Sequence, residues 1–188
     1  MSAVQFIELL SQNKNQAFIG LTKSKMVQEV LSLCTMNEEI KLKFKGPSAM
    51  ISRSIFRILA NITQRSEARL QLLSSLNQKE GEPLYHLVEL MKTHWESLDP
   101  YDRTELVTNG FKALKQLTLG PGIVQRIQLL YPHLIQDLSD LIMQNVDQPQ
   151  VLKEVKGLLH NYRLVTALPE SLEALLREYQ PDPYVEMV

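Results

Sequence analysis

Residues 52–73 read SRSIFRILANITQRSEARLQLL. Ile55, Ile58, Leu59 and Ile62 recur at spacings of three, one and three, the rhythm of a helix that buries one face. Thr63-Gln64-Arg65-Ser66-Glu67 breaks that rhythm, and a second apolar pattern begins with Leu70. The stretch therefore predicts two amphipathic helices joined by a tight polar turn. Asn61 stands one residue before the last apolar position of the first helix, although Asn is a poor helix former. Something other than propensity accounts for it.

The prolines extend this reading to the rest of the chain. Pro47, Pro83, Pro100, Pro121, Pro132, Pro149 and Pro169 each precede a stretch of helical periodicity. Proline suits the first helical turn, where its missing N–H has no partner to lose and its φ is already helical. Asp99 before Pro100 and Ser171 after Pro169 add capping or first-turn chemistry. Helices are expected over 3–11, 23–34, 48–63, 66–77, 83–97, 101–118, 122–131, 133–145, 149–163 and 170–179. The only strand-like alternation is Ile40-Lys41-Leu42-Lys43-Phe44, which has no second strand to pair with and reads as a frayed helix or connector. The fold class is all-α. Residues 1–180 are expected to form one helical domain, and 181–188 (PDPYVEMV) a short extended tail.

Composition narrows the function. The 188 residues are 44% hydrophobic and 22% charged, as in globular chains. Lys plus Arg number 20 and Asp plus Glu 21, a balance that disfavours a dedicated nucleic-acid binder or a protein drawn to anionic membranes. One cysteine, Cys34, cannot close an internal disulfide, which fits a reducing compartment. The first residues, MSAVQFIELLSQNKNQ, lack the basic start of a signal peptide, and no run reaches the ~18 apolar residues of a membrane span. A cytoplasmic or nuclear location is expected.

Self-comparison adds a repeat. VLSLCT (30–35), ILANIT (58–63), ALKQLT (113–118) and LLHNYR (158–163) share a pattern, and each is followed by a polar break and another amphipathic helix. A third helix follows in the better-formed units, over Pro83–Ser97 and Pro132–Asn145. These segments resemble the armadillo repeat, a three-helix unit of about forty residues from the α-solenoid class. Its longest helix ends in a Leu-x-Asn-Leu-like motif, and the turn after it often carries Glu and Arg. Leu59-Ala60-Asn61-Ile62 with Glu67 and Arg69 is the nearest match. Leu159-His160-Asn161-Tyr162, with Gly157 upstream, is next. Leu114-Lys115-Gln116-Leu117 has Gln in place of Asn, and the first unit departs furthest, with Leu33 at that position. The resemblance implies a short right-handed solenoid of about three to four armadillo- or HEAT-like repeats, and the uneven spacing of Leu31, Leu59, Leu114 and Leu159 makes them irregular.

In armadillo proteins the Asn of this motif faces a concave groove and bonds the backbone of an extended partner. The resemblance thus offers Asn61, Gln116 and Asn161 as partner-binding residues. One and two turns back on the same helix faces lie Arg57 and Ser54, Lys112 and Asn109, and Gly157 and Glu154. The candidate surface is Arg57, Asn61, Asn109, Lys112, Gln116 and Asn161. The competing role for Asn61 is architectural, as a helix terminator or a donor to a neighbouring carbonyl. Leu59, Ile62, Leu114, Leu117 and Leu159 are expected in the core.

Other groupings carry less. His86, Glu89 and His94 have the wrong spacing for a metal site, because histidines eight apart lie more than two turns apart. Cys34 follows Leu31 and Leu33 and reads as a packing thiol. Gly120-Pro121-Gly122 lacks the Lys-Ser/Thr of a phosphate loop. Lys41, Lys43 and Lys45 read as a solvated face, and Trp95 as core or an interface anchor. The terminal Tyr-Val-Glu-Met-Val fits a carboxylate-capturing groove only as a short, common pattern. No catalytic set, metal or cofactor is expected. The expectation is a non-catalytic adaptor that docks a peptide or helix of a partner protein. The alternative is a terminal assembly or dimerisation module of a larger complex.

Overall fold

Pro83, Pro100, Pro121 and Pro149 stand at the first or second position of a helix, Pro47 at the third, and Pro132 and Pro169 just before one. The computed structural model describes residues 45–66, 69–70, 82–93 and 98–177. Among these every regular element is an α-helix: α1 (Lys45–Ile62), α2 (Glu82–Thr93), α3 (Pro100–Leu117), α4 (Pro121–Leu130), α5 (Leu134–Met143), α6 (Pro149–Arg163) and α7 (Glu170–Ala174). Pro100, Pro121 and Pro149 open α3, α4 and α6. The Asp99 carboxylate accepts the Asp102 N–H at 2.9 Å and so caps α3. Gly120 precedes α4 with φ 101°, a backbone state that a side chain would strain. The expected helices over 3–11 and 23–34, the 40–44 alternation and the tail 181–188 lie outside the described residues, as do Cys34, His94 and Trp95. Of the expected helix over 66–77, Ser66, Arg69 and Leu70 are described, and all three are helical.

α3 organises the packing. It lies against both α1 and α6, while α2 packs on α3 and on α5, and α4 packs on α6. The pairings give direction. Arg53 and Arg57 of α1 meet Asp102 and Glu105 of α3 in the same order, so α1 and α3 run parallel. Lys115 of α3 meets Glu154, and Asn161 reaches Thr118, so α6 is parallel to α3 as well. The three described helices that end in the shared motif, α1, α3 and α6, therefore stand side by side, in sequence order, pointing the same way.

Under that row runs one apolar cluster, from Ile55 and Phe56 in α1 through Leu106, Phe111 and Leu114 in α3 to Leu158 in α6 and Leu172 in α7. Leu59, Ile62, Leu114, Leu117 and Leu159 all lie in it, each no more than 4% exposed. α2 comes unusually close to α3. A Cβ placed on Gly110 would fall 2.7 Å from both Sδ and Cε of Met91, so the missing side chain at 110 leaves the space that the thioether fills.

Candidate functional site

The three motif helices carry the same burial pattern in the same register. Taking Leu59, Leu114 and Leu159 as equivalent, the preceding residues Ile58, Ala113 and Leu158 are all buried. So are Ile62, Leu117 and Tyr162 three positions on. At these core positions the three helices thus share one environment.

The helix ends differ. α1 ends at Ile62, and the Thr63 hydroxyl donates back to the Leu59 carbonyl at 2.7 Å. Arg69 then folds its guanidinium over the same end and donates to the carbonyls of Thr63 (3.1 Å) and Gln64 (3.3 Å). A cation bonded to the last carbonyls of a helix satisfies acceptors that the helix itself cannot. α3 ends in the same way at Thr118, whose hydroxyl donates to the Leu114 carbonyl at 3.0 Å. The turn after it, Leu119-Gly120-Pro121-Gly122, holds no arginine. The Asn161 amide of α6 does that work, donating to the Lys115 carbonyl at 3.1 Å and to the Thr118 hydroxyl at 3.0 Å.

Asn161 is accordingly 9% exposed and turned into the α3–α6 seam rather than toward solvent. Beside it the Tyr162 hydroxyl is buried with no hydrogen-bond partner among the described residues, and that burial pushes the phenol pKa up from its ordinary 10.0.

The other candidate residues occupy a different environment. α1 is buried around most of its circumference, and its half-buried positions are Arg53, Arg57 and Asn61, one residue per turn along a single side. Arg53 and Arg57 are ion-paired with Asp102 and Glu105, and Arg53 Nε also lies 3.9 Å from Glu105 Oε2. From Glu105 the same face of α3 continues through Asn109, Lys112 and Gln116, all half-buried. The side chains of these three make no hydrogen bond or ion pair among the described residues. The α1–α3 seam therefore carries Arg57, Asn61, Asn109, Lys112 and Gln116 along one open strip, which Asn161 does not join.

Sequence reasoning missed the ion pairs. Two arginines four apart and two carboxylates three apart are each a one-face pattern, but neither pattern names its partner helix. Lys115 with Glu154 is a second pair of the same kind across the α3–α6 seam. Among the described residues there is no group of three or more His, Cys, Asp or Glu placed to hold a metal ion. No helix among them is long and apolar enough to cross a membrane. Comparison of the chain with protein-family models, with curated proteins and with solved structures found no match.

Proposed function

We propose that this protein is a non-catalytic adaptor of the armadillo- or HEAT-like class, a short right-handed solenoid that docks an extended peptide of a partner protein along the α1–α3 strip. One observation carries the reading. The open side of α1 and the open side of α3 adjoin each other, and there the polar side chains of Asn109, Lys112 and Gln116 have no partner of their own among the described residues. Amides and an ammonium spaced every three or four residues along a helix suit the carbonyls and amides of an extended backbone. The parallel row of motif helices and the shared burial register support the solenoid part of the reading.

The test is selection from a displayed library of extended peptides, run in parallel on the natural chain and on a Lys112→Ala/Gln116→Ala variant. Both side chains are solvated without a partner, so their removal leaves no buried group unsatisfied. Sequences enriched on the natural chain should fail to bind the variant while both proteins melt together. Equal enrichment on both, or a fall in melting temperature as large as the loss of binding, retires the adaptor reading.

A further inference from the structure

The ion pairs across the seams between motif helices share one charge polarity, and in α6, the last of the described motif helices, that polarity is met only in part. On the side facing the next helix in the row, α1 presents Arg53 and Arg57, and α3 presents Lys115. On the side facing the helix before, α3 presents Asp102 and Glu105, and α6 presents Glu154. In each of these pairs the cation comes from the earlier helix and the carboxylate from the later one.

α6 continues that order. Residues two apart on a helix point about 200° apart, so Lys156 lies opposite Glu154 and Arg163 opposite Asn161, away from α3. Arg163 reaches Glu173 of α7 at 3.3 Å, again a forward cation on a later carboxylate. Lys153 and Lys156 make no ion pair among the described residues.

Register sharpens the point. Leu152, Lys156, His160 and Leu164 form one ridge at spacings of four on α6, with Leu164 64% exposed and the other three half-buried. The equivalent positions in α3 are Val107 and Phe111, both 0% exposed, then Lys115, ion-paired with Glu154. In α1 they are Ser52, Phe56 and Ala60, all buried. At the fourth position Gln64 is exposed and Leu119 half-buried, so what sets α6 apart is the first two positions: Leu152 and Lys156 are half-buried where Ser52, Phe56, Val107 and Phe111 are buried.

We infer that the Leu152–Lys156–His160–Leu164 ridge of α6, with Lys153 beside it, is a docking edge for an acidic amphipathic helix of a partner protein. That helix lies along α6 as α6 lies along α3, with carboxylates toward Lys153 and Lys156 and apolar residues on Leu152 and Leu164. Among the described motif helices, α1 contains no carboxylate over Lys45–Ile62 to set against these lysines, so a second copy docked through α1 is a poorer occupant than an acidic helix. The edge is separate from the α1–α3 strip, so neither proposal depends on the other.

The experiment uses the full chain and a fluorescein-labelled synthetic helix about the length of α3, with Glu at spacings of three and four beside a Leu stripe. Controls are the same helix with Gln or with Lys at the Glu positions. The Glu helix should bind saturably, and Lys153→Glu/Lys156→Glu should weaken it by about tenfold or more. The Lys helix should bind the charge-reversed variant better than the natural chain. The proposal is overturned if the Gln helix binds as well as the Glu helix, or if charge reversal leaves the affinity unchanged. Absence of saturable binding also overturns it, and would make the ridge a polar end to the row. So would a single-stranded RNA that binds the same lysines and displaces the Glu helix, or self-association of the natural chain that charge reversal abolishes. A melting curve for the charge-reversed variant that overlays the natural one shows that the loss is not one of folding.

Discussion

The ends of α1 and α3 carry the same motif and are finished in different ways. At α1, Arg69 from the following turn bonds the terminal carbonyls, and Asn61 stays half-buried on the open side of its helix. At α3 the following turn is Gly-Pro-Gly, and Asn161 crosses from the next helix to bond the carbonyl of Lys115 and the hydroxyl of Thr118. The same letter at the same register is therefore half-buried on the α1 face in one unit and a buried donor across the α3–α6 seam in another. A motif position acquires its role from what the neighbouring turn can or cannot supply.

The core positions set the scale, because there the units should not differ. Leu59→Ala, Leu114→Ala and Leu159→Ala should each lower unfolding free energy by ~2–5 kcal/mol, since each side chain is at most 2% exposed. Urea denaturation checks this, and one Leu with a surface-like cost would break the register on which the comparison rests.

Next come the two caps. Asn161→Ala and Arg69→Met should each cost about 1–3 kcal/mol, because each leaves acceptors at a helix end without a donor. Gln116→Ala, at the equivalent position but without a partner among the described residues, should cost under about 0.5 kcal/mol. If Gln116→Ala is as damaging as Asn161→Ala, the two ends are not different in kind.

The ion pairs follow. Arg53→Ala/Arg57→Ala should cost about 1 kcal/mol, as expected of pairs at the edge of solvent. The deficit relative to the natural chain should shrink when the melts are repeated in 1 M salt, where screening falls to about 3 Å. A deficit that does not change with salt would mean the arginines act by packing.

Smallest is Tyr162→Phe, expected within about 0.5 kcal/mol of the natural chain near neutral pH, since the hydroxyl it removes has no partner among the described residues. Its pH dependence is more telling. Burial raises the phenol pKa above 10.0 in the folded state, so above that pH the unfolded chain loses a proton that the folded chain keeps. Stability therefore falls as pH rises beyond 10.0. The Phe variant lacks this contribution, and the difference between the two melting curves should grow from pH 9 to pH 11. A constant difference would place the hydroxyl in water.

Much of the architecture is readable from apolar spacing and proline position, because both are local. Pro100, Pro121 and Pro149 mark helix starts by a backbone rule that needs no tertiary context. Leu59, Leu114 and Leu159 reveal the buried side through their neighbours three and four residues away. The ion pairs are not readable in that way, since Arg53 and Asp102 stand 49 residues apart and Arg57 and Glu105 stand 48 apart. Each is visible only once α1 is known to lie parallel to α3. The candidate surface was legible in part for the same reason. Spacing along α3 placed Asn109, Lys112 and Gln116 on one side, whereas the role of Asn161 depended on a turn forty residues earlier that lacks an arginine.

The close approach of Met91 to Gly110 gives the molecule an internal chemical clock. Met91 is 0% exposed, whereas Met143 is 46% exposed. Dilute peroxide should therefore oxidise Met143 well before Met91, whose sulfur it reaches only when α2 lifts from α3. The added oxygen has no room above Gly110, where the gap already matches the thioether, so a chain oxidised there cannot close as before. The oxidation half-life of Met91 measures how often that seam opens, and each opening that meets an oxidant is recorded as 16 Da of mass.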